Sequence, residues 1–104
     1  MIIVDMFFPY AYDIVFDEKY YIEIHIEKIK NLLRPLGLID IKIQKGISSS
    51  NPDIAPKYFA ISHLNFNSVE EVHNAFTITA KEIIKDVNNF TNSSPEFQIS
   101  ELIF

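Results

Sequence analysis

The chain has 104 residues, with 14 Asp and Glu residues against nine Lys and Arg residues, and it contains no Cys or Trp. This length suits one core, so residues 1–104 are predicted to form a single domain. The lack of cysteine excludes disulfides, thiolate nucleophiles and Cys-based metal sites, and the net charge of −5 argues against binding to nucleic acid or to an anionic membrane.

The first predicted element is a β-strand over Ile2–Phe8, a β-branched and aromatic segment that Pro9 ends. The first 16 residues contain no Lys or Arg, and Asp5, Pro9 and Asp13 interrupt their apolar run, so they do not have the pattern of a secretory leader. No segment reaches the roughly 20 apolar residues of a membrane span. We therefore expect a cytoplasmic protein that does not enter a membrane.

A first helix is predicted from the N-cap residue Asp17 to Arg34, because Pro35 stops it. On a helical wheel, one stripe of this segment is apolar and is expected to be buried: Ile22, Ile26, Ile29 and Leu33. The next segment, Leu38–Lys45, alternates apolar and polar residues. This alternation predicts a half-buried strand at the edge of a sheet.

The second half of the chain is predicted to contain a strand, a helix and a strand. The strand Lys57–Phe66 is apolar on both faces, with Phe59 and Ile61 on the second face. Ser68 and Glu71 form a capping box that starts the second helix, which is predicted to end near Asp86. Its expected buried stripe is Val69, Val72, Phe76, Ala80 and Ile83. The last strand is predicted over Phe97–Phe104.

The predicted order of elements is strand, helix, strand, strand, helix, strand. This is the α+β, ferredoxin-like βαββαβ arrangement, with a four-stranded antiparallel sheet. Right-handed crossovers place both helices on the same face of that sheet. The fold class is therefore set by the order of the elements rather than by any single motif.

His25 is a polar residue on the flank of the apolar stripe of the first helix, one turn after Tyr21. Because imidazole titrates near neutral pH, His25 is a candidate general base or hydrogen-bond donor in a cavity between helix and sheet. The alternative is a partly buried histidine that a neighbouring carbonyl or tyrosine satisfies. The sequence leaves both interpretations open.

Three more polar groups interrupt apolar strand faces. His63 lies between Ile61 and Asn65, and a buried ring of this kind needs a partner, which is either a structural neighbour or a pocket ligand. Asp5 interrupts the first strand, and an Asp5–His63 pair is predicted if strands one and three are neighbours. Glu101 is the third such interruption, in the last strand.

The histidines do not have the spacing of a metal site. His25, His63 and His73 form no i, i+4 pair and no His-x-His or His-x-Glu motif. Gly37 and Gly46 are the only glycines, which excludes a glycine-rich phosphate loop. We therefore expect neither a metal nor a nucleotide cofactor.

Three motifs in the chain resemble the EthD family, named for ethyl tert-butyl ether degradation. They are Phe16-Asp17-x-x-Tyr20-Tyr21-x-x-x-His25, then Tyr58-x-Ala60-Ile61-x-His63-Leu64-x-Phe66-x-Ser68, and last Asn89-Phe90-Thr91-x-x-x-Pro95-x-x-Gln98-Ile99-Ser100-Glu101. The motifs occur in the same order as in the family and span nearly the whole chain. The resemblance implies a ferredoxin-like domain of the dimeric α/β barrel superfamily, in which the sheets of two chains face each other.

The resemblance implies an association with oxidoreductases and places Tyr21, His25, His63 and Phe90 at pocket or motif positions. Related barrels include cofactor-independent monooxygenases, polyketide cyclases, muconolactone isomerases and heme-binding enzymes. The chain departs from the family at Glu27, where many members have a proline two residues after the helical histidine. The substrate therefore does not follow from the resemblance.

Two functional hypotheses remain open. The first is a small enzyme or oxidoreductase accessory that holds a compact apolar molecule without a tightly bound cofactor, with His25 and His63 as catalytic groups. Its substrate-binding residues would be Tyr21, Phe90, Asp5 and Glu101. The second is a non-catalytic dimer that binds or scavenges a ligand. Heme binding is a lesser alternative that an absorption spectrum tests.

The apolar content predicts a homodimer. The chain has 18 Ile, nine Phe and five Tyr residues, and its central strands are apolar on the face that the helices leave open. An open face of this kind is an aggregation liability unless another surface covers it. We therefore expect a second copy to cover it, sheet face against sheet face.

Overall fold

A computed structural model describes all 104 residues. The elements are β1 (Ile2–Pro9), α1 (Glu18–Tyr20), a π-helical turn (Tyr21–His25), α2 (Ile26–Leu33), a 3-10 turn (Arg34–Leu36), β2 (Asp40–Lys45), β3 (Tyr58–Phe66), α3 (Val69–Val87) and β4 (Glu96–Glu101). The first three helical segments and the 3-10 turn are continuous and form the predicted first helix. The predicted α+β, ferredoxin-like fold is confirmed.

The four strands form one antiparallel sheet in the order β2-β3-β1-β4, so β1 and β3 are central. Alternate side chains of the central strands are buried against the helices: Ile2, Val4, Met6, Phe8, Ala60, Ser62, Leu64 and Phe66. The opposite face, which we call the open face, carries half-buried residues that include Ile3, Phe7 and Ile61. The edge position predicted for β2 is confirmed.

The pairing of β1 with β3 shifts by one residue between Phe8 and Pro9. As a result, the first side chains of β3 point to the opposite faces of the sheet from those that strict alternation predicts. The Tyr58 ring lies 4.9 Å from the Phe7 ring on the open face, whereas the Phe59 ring stacks 4.4 Å from Phe16 against the core. The prediction that Phe59 shares a face with Ile61 is therefore wrong. A bulge reverses the alternation at this point, and strict period-two counting does not detect it.

The π-helical turn changes the buried face of the first helix. The N-cap prediction for Asp17 is confirmed, since its carboxylate accepts from the Tyr20 N–H at 3.0 Å. Further along, the Ile26 N–H donates to the Tyr21 carbonyl five residues back, so one extra residue enters the turn. Tyr21 is buried, and Ile22 is 46% exposed. The prediction that Ile22 belongs to the buried stripe is wrong because the extra residue rotates it out of phase.

The second helix, α3, begins at the predicted cap, where the Ser68 hydroxyl accepts from the Glu71 N–H at 3.1 Å. Val72 and Ile83 are buried as predicted, but Val69 is 43% exposed and is not part of the buried stripe. The remaining buried positions on α3 are Ala75, Thr79, Asp86 and Val87. The helix ends at Val87, one residue after the predicted end, and its last turn buries an acidic residue, Asp86.

β4 ends at Glu101 rather than at the predicted Phe104, and β2 begins at Asp40 rather than at Leu38. Between α2 and β2 the chain reverses at Gly37, whose φ of 114° only glycine adopts readily. None of the helices combines the length and apolar character that crossing a membrane requires.

Candidate functional site

A buried carboxylate holds His25 between the first helix and α3. The His25 side chain is fully buried, and its Nδ1 lies 2.7 Å from Asp86 Oδ2. The carboxylate can only accept a hydrogen bond, so Nδ1 carries the proton and donates it. This contact fixes both the tautomer and the orientation of the imidazole ring.

Asp86 is held in its ionised form by three donors. Besides His25, the Tyr20 hydroxyl donates to its Oδ1 at 2.8 Å, and the Asn89 side-chain amide donates to the same atom at 2.9 Å. Burial raises the pKa of Asp86, but the hydrogen bonds from His25, Asn89 and Tyr20 outweigh it and lower the pKa below its ordinary value. The residue is therefore a carboxylate at neutral pH.

The other nitrogen of His25 has no partner. Burial lowers the pKa of His25, and the hydrogen bond to Asp86 only partly opposes this effect. The imidazole is therefore neutral at pH 7, with its lone pair on Nε2, and Nε2 is buried without a hydrogen bond. Buried polar atoms are nearly always partnered, so this atom is an exception that calls for a reason.

The hydroxyl groups of Tyr21 and Ser62 are also buried, and neither bonds to a further group. Tyr21 lies one turn before His25, and the two rings are nearly parallel, with centroids 5.9 Å apart. Burial raises the pKa of Tyr21 to about 12, and the neighbouring Ser62 hydroxyl opposes that rise. Tyr21 therefore keeps its proton at neutral pH and remains able to donate a hydrogen bond.

Aromatic rings surround these polar atoms. Phe90 lies 4.6 Å from the His25 ring and 5.1 Å from the Tyr21 ring, and Phe8 and Phe16 contact Tyr21 edge to face. Phe90 reaches this position because its carbonyl accepts from the Asp17 N–H, which ties the loop after α3 to the start of the first helix. The polar atoms thus lie in an apolar setting that strengthens their electrostatic interactions.

A cavity of about 200 Å³ reaches this cluster at Tyr21, and His25, Ser62 and Phe90 do not line it. Its lining includes Phe16, Tyr21, Ile22, Ile43 and Phe59, and the Glu18–Lys45 ion pair lies at its rim with a separation of 2.9 Å. A second cavity, of about 240 Å³, lies between α3 and the strands β1 and β4 and is apolar apart from His73. Both volumes are below the roughly 300–1,000 Å³ of pockets for drug-sized ligands, so neither accommodates a porphyrin as it stands.

The structure separates the predicted site residues into three groups. Tyr21, His25 and Phe90 lie together on the helix side of the sheet. Asp5 and His63 form the predicted cross-strand pair, but on the open face, where His63 Nε2 also lies 2.6 Å from Gln44 Oε1. Since the sheet separates His25 from His63, the two histidines of one chain do not meet in one site.

Glu101 lies apart from both groups, at the end of the edge strand β4, where it is exposed. Sequence reasoning did not find Asp86, which contacts His25, or Ser62, which lies next to Tyr21. The burial of Asp86 could have been predicted, because Asp86 lies three residues after Ile83 and therefore on the same buried stripe of α3. No three His, Asp or Glu side chains come together in a geometry that could hold a metal ion.

Comparison with solved structures identifies the fold family. An EthD-like protein from Ralstonia eutropha superimposes with a TM-score of 0.92 and 28% identity, over 99% of this chain and 92% of that chain. An ethyl tert-butyl ether degradation (EthD) family protein from Bacillus halodurans matches with a TM-score of 0.77 and 18% identity, over 99% of both chains. The fold of this chain is similar to that of the EthD-like proteins. The resemblance carried by its three sequence motifs is thereby confirmed.

More distant structures of the same fold include enzymes. A cofactor-independent oxygenase from Streptomyces nogalater matches this chain with a TM-score of 0.60 and 8% identity, over 99% of this chain and 92% of that chain. At this identity the match shows the shared fold alone. Neither protein-family models nor curated proteins match the sequence.

Proposed function

We propose that this EthD-like protein binds a small, largely apolar organic molecule between the first helix and the sheet, and that His25 transfers a proton to or from it. The observation that carries the proposal is the partnerless Nε2 of a fully buried histidine whose Nδ1 is fixed by an ionised carboxylate. An imidazole oriented in this way by an acid is the arrangement of a general base.

The proton transfer uses the His25–Asp86 pair as one unit. Nε2 takes a proton from a donor group of the bound molecule, and the imidazolium that forms is stabilised by the Asp86 carboxylate 2.7 Å from Nδ1. The proton then returns from Nε2 to another atom of the same molecule or to water. Because burial lowers the pKa of His25, the resting ring is unprotonated and ready to accept at neutral pH.

Tyr21 and Ser62 supply the second half of the chemistry. The two hydroxyls are buried next to each other and neither bonds to a third group, so one of them can donate to an oxygen on which negative charge develops. Donors that are already in place within an apolar site stabilise such charge without reorganisation. Phe90 contacts the rings of Tyr21 and His25 and closes the site on the α3 side.

The activity we propose is that of an oxidoreductase or an oxidoreductase accessory without a tightly bound cofactor. Support comes from the solved structures of this fold, which include a cofactor-independent oxygenase. This support is an analogy between folds, and the residues that carry the proposal are those of the His25 cluster. Asp5 and His63 have a role only in a site that the open faces of two chains would form.

The test compares His25→Ala with His73→Ala. His73 is exposed and lies outside the cluster, in the lining of the second cavity. Its replacement controls for the loss of one imidazole and shows whether a compound binds in that second cavity instead. In a thermal-shift screen of small apolar compounds, the wild type and His73→Ala should be stabilised by the same compounds, and His25→Ala should not. Retained ligand affinity and turnover in a folded His25→Ala protein would contradict the proposal.

The second candidate function is a non-catalytic dimer that binds or scavenges the ligand. The observation that favours it is the open face, where Ile3, Phe7 and Ile61 surround the half-buried Asp5–His63 pair. A second copy placed against this face would bury these residues and seal a barrel between two sheets.

Size-exclusion chromatography with light scattering tests the dimer. The dimer should give about twice the chain mass of 12.1 kDa. Ile61→Lys on the open face should give the monomer mass, whereas Ile84→Lys, at an exposed isoleucine of α3, should leave the dimer intact. A monomeric wild type at micromolar concentration would refute the dimer, and measurable turnover would refute a purely scavenging role.

A further inference from the structure

The second cavity, between α3 and the strands β1 and β4, is a space that the side chains of the core do not fill. Val72, Phe76 and Ala80 of α3 line one side of it, and Val4 of β1 and Ile99 of β4 line the other. Its volume is about 240 Å³. Ala80 is the smallest residue of the lining, so the space that a larger side chain would fill at this position stays empty.

Large apolar side chains at this cavity stay half exposed. Phe97 and Ile99 are 45% and 43% exposed, although they lie on the helix side of the sheet with their β1 partners Met6 and Val4. Ile84, which lines the cavity from α3, is 40% exposed. A ligand that covers these side chains gains from removing their apolar area from water.

The lining offers almost nothing that would hold water or an ion. His73, which is exposed, is its only polar residue, whereas an ordered water needs roughly two to four polar partners. No Lys, Arg, Asp or Glu lines the cavity. A charged ligand would lose its hydration there without gaining an opposite charge. The complementary ligand is therefore uncharged and apolar.

The volume of the cavity sets the size of that ligand. A dry protein cavity of about 150 Å³ is known to hold benzene. By proportion, the cavity of about 240 Å³ holds roughly nine carbon atoms. Phe76 and Phe97 are both in the lining, and aromatic side chains make favourable edge or offset contacts with a further ring.

This cavity is separate from the His25 cluster. It meets β1 at Val4, whereas the cluster meets β1 at Phe8, whose ring contacts Tyr21. Four residues of a β-strand span about 13 Å. Neither His25 nor Tyr21 lines the second cavity.

From these observations we infer that the second cavity binds a neutral hydrocarbon of about nine carbon atoms, such as an alkylbenzene. The ligand lies between α3 and β4 and covers Ile84, Phe97 and Ile99. It is held by apolar contacts alone and undergoes no covalent change. The site is independent of the function proposed for the His25 cluster.

Two probes of nearly equal shape, propylbenzene and 2-phenylethanol, test the inference. In calorimetry at pH 7.5, propylbenzene should bind at least about fourfold more tightly than the alcohol, the ratio that one buried CH₂ group corresponds to. In ¹³C spectra, propylbenzene should shift the methyl resonances of Ile84 and Ile99 and leave that of Ile43, which lines the other cavity, unchanged. Absence of propylbenzene binding, or equal binding of the alcohol, would overturn the inference.

Variants locate the bound probe. Ala80→Leu fills the second cavity with a residue that favours helix, and it should weaken propylbenzene binding at least tenfold. The matched control is Ile22→Trp, which places a larger side chain in the other cavity and should leave the affinity unchanged. Unchanged affinity in Ala80→Leu, or its loss in Ile22→Trp, would contradict the site.

His25→Ala separates this site from the function proposed above. It should bind propylbenzene as the wild type does, so hydrocarbons of this kind form a separate group in the thermal-shift screen. Loss of propylbenzene binding in a folded His25→Ala protein would assign the probe to the His25 cluster and overturn the inference. A lower mass of Ala80→Leu in light scattering would show that a second copy covers the cavity, which would also overturn it.

Discussion

Replacing Asp86 tests the buried pair most directly. The His25–Asp86 hydrogen bond is charge-assisted and buried at both ends, and a hydrogen bond to a charged group contributes about 1.5–3 kcal/mol. Removal of one partner from a buried ion pair costs about 3–5 kcal/mol. Because His25 is neutral and does not become an isolated cation, we take the lower value. Asp86→Ala should lower the free energy of unfolding by about 3 kcal/mol.

Urea unfolding followed by circular dichroism measures this change. In a domain of about 100 residues, each kcal/mol corresponds to roughly 4 °C, so the melting temperature should fall by about 12 °C. Asp86→Asn keeps the volume and one acceptor oxygen, and its effect should be smaller. The control is Glu82→Ala, one turn earlier on the surface of α3, where an exposed ion pair contributes less than about 1 kcal/mol. A loss below 1 kcal/mol for Asp86→Ala would refute the reasoning.

Two further predictions concern pH and the first helix. The pKa of His25 is lower in the folded chain than its ordinary value of 6.5. As the pH falls, the unfolded chain therefore becomes protonated at His25 before the folded chain does. Stability should therefore fall as the pH drops below about 6.5, a slope that His25→Gln should lose and His73→Gln should keep in urea titrations at several pH values. In the first helix, Ile26→Ala should cost about 2–4 kcal/mol, whereas Ile22→Ala should cost under about 1 kcal/mol because Ile22 is half exposed. Equal costs for the two isoleucines in urea unfolding would contradict the π-helical turn.

The order and type of the elements could be predicted because each depends on a local pattern. Ser68 and Asp17 cap the helices where the sequence places them, and the alternation along β2 gives its edge position. The Asp5–His63 pair was also predictable, because the βαββαβ order makes β1 and β3 neighbours. These features can be predicted from residues close together in the sequence and from the order of the strands in the sheet.

The rest of the site depends on contacts that no local pattern describes. Asp86 meets His25 across 61 positions of sequence, and its pKa is set by donors from two different segments. The bulge that turns Phe59 toward the core, and the extra residue in the π-helical turn, each change the phase of an element that otherwise keeps a regular hydrophobic pattern. A regular wheel therefore finds the core of the helix but assigns Ile22 to the place that Tyr21 occupies.

The π-helical turn has a consequence for how the cluster could be gained or lost. In a regular α-helix, the residue one turn before Ile26 on the same face would be Ile22. The one residue added by the π-helical turn brings Tyr21 to that buried position instead. Removing one of the residues 22–24 would place Tyr21 four residues before Ile26, so a regular α-helix would still bury both Tyr21 and His25. A one-residue deletion in this turn should therefore keep the polar cluster, whereas substitution of Tyr21 or His25 would lose it.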